Sequence, residues 1–410
     1  MFSRFQFKSK AGGRLALLAV VATPFVVVSP ASANNAPILV DHDRVQCPTA
    51  QYTEIEAAVA AAPPGATIHV CAGTYHVQVV ITKSLTIQAD TGSILQPVAV
   101  TTTTTDAGGV TEAPLLLVKN TSNVSIDDLT VDGAGGAAPT SCALDYVGVM
   151  YQNASGSLTH MAVRNIEVPV APGCQSGEGI YIQSGPHNSV TISDSSVHDY
   201  QKTGILVKGT GLFSGTSASL THNFVTGLGA TPNIAQNGVQ ISDGASATLT
   251  NSFINNHLYS SCTSASCSYA STNILVYNPS VVQIQNNTVG TAQIGISVQG
   301  NLVQVSNNSV YDNQVYDGID LIGNANQASG NNIFHSDSTA VYVTGNLNRV
   351  SGNTINEAAY GTYAVGAANQ VSGNAYYNVV VPGGAYSSAP VYTAVITTTP
   401  TPRQAPVSPR

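Results

Sequence analysis

The sequence lacks tryptophan, contains only three methionines and carries few charges. Asp, Glu, Lys and Arg make up 8% of its 410 residues, against about a quarter in an average soluble protein. Acidic residues outnumber basic ones by 21 to 13, which disfavours nucleic acid and anionic lipid as partners. A chain with few charges and abundant Thr, Ser, Asn and Gly could be disordered, but 43% hydrophobic content with alternating Val and Ile favours a packed all-β protein.

Long apolar runs are also missing, except near the N-terminus. The run from Leu15 to Val28 is too short to span a bilayer comfortably, and it lies between four basic residues and the small residues Ala-Ser-Ala at 31–33. This arrangement is typical of a signal peptide, which we predict over 1–33. We therefore expect a mature chain from Asn34, no membrane span after cleavage, and a secreted or extracellular location. The mature net charge of −12 also disfavours polyanionic sugars unless cations bridge them.

Helix-length segments are scarce, whereas a short repeat runs through the second half of the chain. The phrase Val-Ser-Gly-Asn occurs at 350–353 and again at 371–374, and the same register recovers three earlier asparagines at intervals of 21 to 23 residues. The asparagines of this register are Asn287, Asn308, Asn331, Asn353 and Asn374. Upstream, at wider spacing, the corresponding positions are Leu129, Met161, Ser195, Asn223 and Ser252.

Each repeat also contains a second apolar strand, such as Gly-Ile-Tyr-Ile from 179 or Gly-Ile-Asp-Leu from 318. Two or three short strands in each period, without a helix, predict a β-solenoid whose coils stack about 4.8 Å apart. A buried asparagine at one turn of every coil could then bond its own turn and the amide of the next coil, while a neighbouring glycine permits a bend at positive φ. The alternative is that Asn and Gly mark ordinary surface turns.

These repeats resemble those of the right-handed parallel β-helix proteins of the pectin-lyase-like superfamily, and the segment 52–88 is similar to the usual N-terminal start of that fold. The resemblance implies an all-β, right-handed parallel β-helix of about ten or more coils over 65–380. It also implies an N-terminal segment with a short capping helix over 34–64. The remaining 381–410 would be a C-terminal extension with a flexible, Thr/Pro-rich tail.

Two local features support this reading of the N-terminal region. Thr53 and Glu56 fit a capping box, and Pro63 would end the helix that follows. In an exported chain the even number of six cysteines favours disulfides over a metal site, since no Cys-x-x-Cys pair occurs. Sequence alone does not fix the connectivity, but the positions suggest the pairs Cys47–Cys71, Cys142–Cys174 and Cys262–Cys267.

The longer repeats carry their extra residues between the ladder strand and the next apolar strand. Stacking would make these insertions emerge on one side, where solenoids usually bind ligands. The insertions are Asp132 to Tyr146, Arg164 to Glu178, Thr226 to Asn237, and Asn255 to Thr272. The short connection within 197–204 would then form the floor of a loop-walled cleft.

Several residues that could perform acid–base chemistry are predicted at this cleft. Asp132, Arg164 and His198 occupy equivalent positions on three successive coils, and further candidates lie beside them: Glu178, Asp199, Tyr200 and Lys202. His198 or Lys202 could remove a proton beside a uronic carboxylate held by Arg164. Alternatively, Asp199 and Glu178 could be the carboxyl pair of a glycoside hydrolase. The structural alternative is a solvated turn in which Asp132 neutralises Arg164.

Two further groups are candidates for ligand contacts. Tyr181 occupies the outward position of its strand, where an aromatic ring could stack on a sugar, although tyrosine also suits a half-exposed strand. Asp312, His335 and Glu357 occupy equivalent turn positions, and stacked carboxylates could hold calcium. A solvated edge is favoured there, so we predict no metal or cofactor, with calcium as the alternative.

The motifs that distinguish enzymes of the superfamily are absent from the sequence, including Asn-Thr-Asp, Gly-His-Gly, Arg-Ile-Lys, Arg-x-Pro-x-x-Arg and Asp-Pro-His. The resemblance therefore implies a fold more than an activity. We predict an exported, monomeric β-helix protein that binds extracellular polysaccharide in the cleft, with cleavage by a lyase or hydrolase activity left open. The alternative is a noncatalytic surface or matrix protein with a structural or adhesive role.

Overall fold

A computed structural model describes residues 36–169, 173–186, 188–211, 214–264, 267 and 269–386. The predicted signal peptide and most of the predicted C-terminal extension lie outside these ranges. Within them, no helix is long and apolar enough to cross a membrane. Secondary structure is almost entirely β, as predicted, with one α-helix and one short 3-10 turn.

The helix α1 is Ile55–Ala61 and the 3-10 turn is Gly133–Gly135. The strands are β1 (Ile38–Val40), β2 (Ala66–Val70), β3 (Gly73–Tyr75), β4 (Val79–Ile81), β5 (Leu85–Ala89), β6 (Ser93–Leu95), β7 (Thr104–Thr105), β8 (Thr111–Lys119), β9 (Val124–Asp127), β10 (Thr130–Asp132), β11 (Asp145–Gln152), β12 (Gly156–Thr159), β13 (Ala162–Ile166), β14 (Glu178–Gln183), β15 (Ser189–Ser193), β16 (Ser196–Tyr200), β17 (Thr203–Lys208), β18 (Ser217–Thr221), β19 (Phe224–Thr231), β20 (Asn237–Ser242), β21 (Ser246–Thr250), β22 (Phe253–Tyr259), β23 (Thr272–Tyr277), β24 (Val282–Gln285), β25 (Thr288–Ala292), β26 (Ile294–Gln299), β27 (Gln304–Ser306), β28 (Ser309–Asn313), β29 (Ile319–Ile322), β30 (Gln327–Ser329), β31 (Asn332–Thr344), β32 (Arg349–Ser351), β33 (Thr354–Val365), β34 (Gln370–Ser372) and β35 (Ala375–Tyr386).

A typical coil contributes three strands, and equivalent strands of successive coils pair in parallel; in the last coils the second and third strands are continuous, as in β31, β33 and β35. The first strands form a sheet of 13, running from β1 to β34. The second-strand column includes β13, β16 and β19, and the third-strand column includes β14, β17 and β20. The fold is therefore a parallel β-helix, which confirms the prediction of ten or more coils. The antiparallel pairing of β7 with β8 is an exception to the stacking.

The predicted asparagine ladder is present in the interior of the turn that follows the first sheet. The Nδ2 atom of Asn287 donates to the Oδ1 atom of Asn308 at 3.0 Å, and Asn308 repeats this contact with Asn331. Each amide also donates to a backbone carbonyl of the preceding coil, as Asn331 does to Val305 at 3.0 Å, and not to its own turn as predicted. Upstream, the backbone N–H of Asn223 donates to the hydroxyl of Ser252 at 3.0 Å, so serine continues the column.

The bend before the ladder position also follows the prediction. Gly330, Gly352 and Gly373 have φ of 66°, 67° and 66°, in the left-handed region that glycine adopts without steric cost. A second asparagine ladder, which the repeat analysis missed, joins Asn348 to Asn369 at 3.2 Å on another turn.

The N-terminal helix differs from the prediction in how it begins. Its N-cap is Glu54, whose side chain makes no capping hydrogen bond, so the predicted capping box of Thr53 and Glu56 is wrong. Thr53 lies one residue too early to reach the first turn. Burial of Ile55 and Val59 against the first coil holds the helix instead.

All three predicted disulfides are present. They join Cys47 to Cys71, Cys142 to Cys174, and Cys262 to Cys267.

The core also encloses one polar network around His257, which is fully buried. Its Nδ1 atom lies 2.5 Å from the Oδ1 atom of Asn273, while its Nε2 atom contacts the hydroxyl of Tyr200. The Nδ2 atom of Asn273 donates to the carbonyl of Gly290 at 2.9 Å, which orients the amide oxygen toward the imidazole. The ring is therefore neutral, with its proton on Nδ1 and with Nε2 accepting from Tyr200.

The ladder predicts that substitutions of two adjacent asparagines, Asn331 and Asn332, differ in their effect on stability. Asn331→Ala removes the acceptor of the buried Asn308 N–H and the donor to Val305. We expect the free energy of unfolding in urea to fall by roughly 3 kcal/mol, and by less for Asn331→Ser, which keeps an acceptor. The matched control Asn332→Ala, at an exposed position, should change it by under about 0.5 kcal/mol. Equal losses at both positions would contradict a stabilising ladder.

The buried imidazole predicts a pH dependence of stability. Burial lowers the pKa of His257 from 6.5 to about 4, although the hydrogen bond to Asn273 opposes this shift. Between about pH 6.5 and pH 4, His257 therefore binds a proton in the unfolded chain and stays neutral in the folded chain. Stability from this source is complete above about pH 6.5 and falls by about 3 kcal/mol as the pH drops to 4.

The measurement is the free energy of unfolding at pH 7 and pH 4.5 for the wild type, His257→Gln and the exposed control His222→Gln. The loss on acidification should be smaller in His257→Gln than in the wild type, and unchanged in His222→Gln. The same pH dependence in all three proteins would show that His257 is not the titrating group.

Candidate functional site

The long insertions leave the helix between the second-strand and third-strand columns, as predicted. They connect β10 to β11, β13 to β14, β19 to β20, and β22 to β23. The Cys142–Cys174 disulfide joins the first two of these loops. Between them and the third loop lies a short connection, Gln201–Lys202, which joins β16 to β17.

The predicted floor of the cleft is covered by its own walls. The backbone N–H of Gly173 donates to the carbonyl of Asn233 at 2.8 Å, so the second and third loops meet above the short connection. Beneath them, Gln201 bonds the carbonyl of Cys174 and is 9% exposed, while Lys202 is 6% exposed. The prediction of an open cleft over this connection is therefore wrong.

The charged residues of the second-strand column lie side by side, as their equivalent positions predicted. Asp132 is in register with Arg164, and Arg164 with His198. Arg164 Nε donates to Asp132 Oδ2 at 2.8 Å. Burial would raise the pKa of Asp132, but hydrogen bonds from Asn165, Ala134 and Arg164 together lower it. The guanidinium is therefore paired within the fold, as the structural alternative stated.

His198 and Asp199 form a separate pair at the same bend. His198 Nδ1 lies 2.7 Å from Asp199 Oδ2, and both side chains are partly exposed. Among the described residues, no hydrogen bond or ion pair joins this pair to Glu178 or Lys202. The catalytic roles proposed for His198, Arg164 and Asp199 stay predictions.

Tyr200 is not on the surface of the site. Alternation would place it on the same side as His198, but Asp199 between them has φ of 52° and turns the chain. Tyr200 consequently points into the core, where it is fully buried and bonds His257. Its predicted contact with substrate is incompatible with this position.

The structure instead gathers carboxyl groups where the insertions meet the third-strand column. Glu112 on β8 is in register with Asp145 on β11. Glu178 starts β14 and is in register with Val147, which places it diagonally from Asp145. Glu112 is 2% exposed and Glu178 6% exposed, while Asp145 is partly exposed. We call Glu112, Asp145 and Glu178 the carboxyl cluster.

Burial and mutual repulsion raise the pKa values of the carboxyl cluster. Burial, followed by the charges of Glu178, Asp145 and Asp106, raises the pKa of Glu112 to about 10. Burial and then the charge of Asp145 raise the pKa of Glu178 well above its usual range. Burial raises the pKa of Asp145 to about 6, with Lys208 opposing. The Oε2 atoms of Glu112 and Glu178 are buried and have no hydrogen-bond partner among the described residues.

Lys202 is the basic neighbour of Glu178. Its Nζ atom donates to the carbonyl of Ala235 at 3.0 Å. Burial lowers its pKa to about 8, although the charge of Glu178 opposes the shift. Glu178 and Lys202, both predicted as site residues, are thus together in the structure.

A segment outside the repeat covers one part of the same face. Residues 96–111, which we call the flap, include β7 and lead into β8. The flap residue Asp106 accepts from the Tyr181 hydroxyl at 2.8 Å and pairs with Lys208 at 3.1 Å. Burial would raise the pKa of Asp106, but the Val110 N–H, Lys208 and Tyr181 together lower it, so this carboxylate stays ionised.

Tyr181 does lie on the outer face, as predicted. It shares an apolar cluster there with Leu117, Met150 and Leu206, and the flap covers it, leaving 1% of the residue exposed. It is therefore not an open stacking platform. An aromatic pair farther along this face, Tyr342 and Tyr363, stacks at 5.9 Å between ring centroids and is partly exposed.

Sequence reasoning missed Glu112, Asp145 and Asp106. Glu112 precedes the apolar run Pro114 to Val118 and Asp145 precedes another, so both carried the signal of an acid at the start of a third-column strand. Asp106 carried no such signal, because the flap has no counterpart on other coils.

The residues of the second predicted cluster occupy equivalent positions on successive coils, as expected. Asp312, His335 and Glu357 all adopt left-handed φ, between 56° and 59°, at one bend. His335 Nδ1 lies 2.8 Å from Asp312 Oδ1, and this hydrogen bond is the main cause that raises the pKa of His335. That this cluster holds no metal, with calcium as the alternative, stays a prediction.

Comparison with known proteins shows similarity in structure rather than in sequence. No protein-family model matches the sequence, and no curated protein matches it. Among solved structures, the GH136 lacto-N-biosidase of Eubacterium ramulus superposes with a TM-score of 0.60 at 11% identity, covering 83% of this chain and 67% of that one. The Dettilon tailspike protein gives a TM-score of 0.52 at 14% identity, covering 77% of this chain and 62% of that one. These likenesses and the stacked coils show that the chain is a parallel β-helix protein.

Proposed function

We propose that this exported protein hydrolyses a neutral extracellular polysaccharide at the carboxyl cluster. The proposal rests on one observation: carboxyl groups on the same face differ in their protonation state. Glu178 and Glu112 are buried and hold their protons, whereas Asp106 is held ionised and Asp145 ionises near neutral pH. Titratable groups whose surroundings separate their pKa values are typical of acid–base sites.

Hydrolysis of a glycosidic bond needs one protonated and one ionised carboxyl group. Glu178 is suited to donate its proton to the glycosidic oxygen as the bond to the anomeric carbon breaks. Asp145, more exposed and diagonal to Glu178, is suited to balance the positive charge that develops on the sugar. Water then bonds to the anomeric carbon and gives up a proton that restores the Glu178 acid, while the charge of Lys202 stabilises the transient Glu178 carboxylate.

The charges of the site favour a neutral substrate. Glu112 and Glu178 hold their protons, and the ionised Asp106 is paired with Lys208. Arg164, which was the candidate to hold a uronic carboxylate, is paired with Asp132. Arg164 is therefore not free to hold a uronic carboxylate, so elimination beside a uronate is the less suitable reaction.

Export is supported by the disulfides. All six cysteines are paired, which is typical of oxidising compartments. Solved structures similar in fold include a lacto-N-biosidase, whose name denotes action on a glycan. The protein is proposed to act outside the cell as a monomer.

A noncatalytic glycan-binding role is the second candidate. It is favoured by the stacked pair Tyr342 and Tyr363, which lies on the outer face several coils from the carboxyl cluster. Stacked aromatic rings suit sugar faces without any need for catalysis. In that case Tyr342→Ala would weaken glycan binding, and no products would form.

The hydrolase proposal predicts which substitutions abolish activity. With the purified protein and a panel of soluble neutral polysaccharides, Glu178→Gln and Asp145→Asn should each lower the release of reducing ends by at least about a hundredfold. The matched control Glu167→Gln, an exposed acid in the loop before β14, should retain activity, as should His198→Ala. If His198→Ala abolished the release of reducing ends and Glu178→Gln did not, the active site would lie at the second-strand column and not at the carboxyl cluster.

The same assignment predicts the pH profile of kcat/KM. Activity requires ionised Asp145, so it should rise with pH through about 6. Above neutral pH it should fall as Glu178 loses its proton, since burial and the charge of Asp145 raise that pKa. The profile is measured with the best substrate of the panel. A profile flat between pH 5 and pH 9 would contradict the assigned roles.

A further inference from the structure

We infer that Cys47, His69, Cys71 and Asp90 bind a zinc ion when the Cys47–Cys71 disulfide is reduced. We call these four residues the N-terminal ligand group. The disulfide and the metal exclude each other, because both use the same two sulfur atoms. The inference is independent of the proposed function, since none of the four residues belongs to the carboxyl cluster or to the strands that carry it.

The N-terminal ligand group comes together from three segments of the chain. His69 lies on β2 and Cys71 directly follows that strand, whereas Asp90 directly follows β5, which pairs with β2. Cys47 belongs to the loop between β1 and α1. One ligand atom from each residue lies within 4.8 Å of the ligand atoms of the other three. Atoms bound to one tetrahedral zinc ion are about 3.3 to 3.8 Å apart, so small side-chain movements would complete the site.

His69 and Asp90 already face each other beside the two sulfur atoms. The Nε2 atom of His69 lies 3.2 Å from the Oδ1 atom of Asp90, and their side chains are 32% and 45% exposed. The backbone N–H of Asp90 donates to the carbonyl of Val70 at 2.8 Å, which fixes the turn that carries the carboxylate. Cys71 is fully buried. The group is therefore closed on the side of Cys71 and open to solvent on the His69 and Asp90 side, which provides a path for an ion.

Hydrogen bonds outside the disulfide also hold the two cysteines near each other. The backbone N–H of Cys47 donates to the Oδ2 atom of Asp41 at 2.5 Å. The backbone N–H of Asp41 donates in turn to the carbonyl of Tyr52 at 3.0 Å, which closes the loop. The backbone N–H of Cys71 donates to the carbonyl of Val40 at 2.9 Å. Both cysteines are thus fastened to the end of β1 and stay adjacent when the bond between their sulfur atoms is broken.

The donor set of the reduced group suits zinc. Two thiolates, one imidazole nitrogen and one carboxylate oxygen make a four-coordinate site, and thiolates favour zinc over calcium or magnesium. A dithiol would supply the two electrons and two protons of the reduction, so that the sulfur–sulfur bond breaks, each cysteine becomes a thiol and the dithiol becomes a cyclic disulfide. Zinc then displaces the two thiol protons. An oxidising compartment would keep the disulfide, and a reducing one would favour the metal.

The first experiment uses the full protein and Co²⁺ as a spectroscopic substitute for zinc. The protein is reduced with a dithiol, freed of the dithiol without air, and titrated with Co²⁺. We expect about one Co²⁺ per chain, with the visible bands of tetrahedral cobalt and a thiolate-to-cobalt charge-transfer band, all of which Zn²⁺ removes. The oxidised protein should give no charge-transfer band.

The charge-transfer band also excludes a rival site. Asp127, Asp128 and His160 place ligand atoms within 4.8 Å of one another, but this group contains no sulfur. Cobalt bound there would give no thiolate band and would bind the oxidised and the reduced protein alike.

Variants test the two ligands that are not cysteines. In the reduced protein, His69→Ala and Asp90→Ala should each weaken Zn²⁺ binding by at least about tenfold, measured by competition with a chelating dye. The control His76→Ala changes an exposed histidine outside the group and should keep the wild-type affinity. A second control, Cys142→Ser with Cys174→Ser, removes another disulfide and should also keep it. Urea unfolding of each reduced protein separates a lost ligand from a lost fold.

Several results would overturn the inference. They are the absence of a charge-transfer band in the reduced wild type, whether the chain stays folded or not, and wild-type zinc affinity in both His69→Ala and Asp90→Ala. Loss of the band in the Cys142→Ser, Cys174→Ser protein would place the metal at the wrong cysteines and would also overturn it. None of these results bears on polysaccharide hydrolysis, which is measured with the oxidised protein.

Discussion

Hydrogen bonding between equivalent positions of successive coils is the constraint on which the rest of this structure depends. A parallel β-helix can stack only if each strand and turn lies directly over its predecessor. The amide column from Asn287 to Asn353 meets this requirement inside a turn, because each Nδ2 atom donates to the Oδ1 atom of the next asparagine and to a backbone carbonyl of the preceding coil. Extra residues can then leave the helix only between strands, and in this chain they leave on one side.

The candidate site is a consequence of that stacking. Glu112, Asp145 and Glu178 are far apart in the sequence, yet the strand register places them on adjacent coils. Burying three acids together would be costly if all were ionised, and protonation removes most of that cost. Asp106 can remain ionised nearby because it has Lys208 and Tyr181 as partners. The face therefore holds both a proton donor and carboxylates.

The sequence predicted those features that repeat from coil to coil. The ladder, the bends at glycine, and the register of Asp132 with Arg164 all recur at fixed positions, so the spacing alone places them. Glu178 and Lys202 were predicted because they lie beside the equivalent positions of Arg164 and His198. Their burial was not predictable, since it depends on how two loops meet through Gly173 and Asn233.

Other features were not predictable because they occur once. The left-handed residue Asp199 turns the chain after His198 and sends Tyr200 inward, against the alternation of the strand. The flap has no repeat, so nothing in the sequence indicates that Asp106 contacts Tyr181 across 75 residues. The candidate site thus depends on irregular segments that pack against a regular β-helix. The spacing of the sequence repeats predicts the β-helix but not those segments.

The central claim is that a buried carboxyl group of the cluster stays neutral at the pH at which its neighbours are ionised. Infrared difference spectroscopy of the wild type against Glu178→Gln at pH 7 tests it most directly, because a protonated carboxyl group has a carbonyl stretch separate from that of a carboxylate. The account predicts a protonated carboxyl band in the wild type that is lost in the variant. A carboxylate band in its place would show that Glu178 is already ionised, and would remove the proton donor from the proposed site.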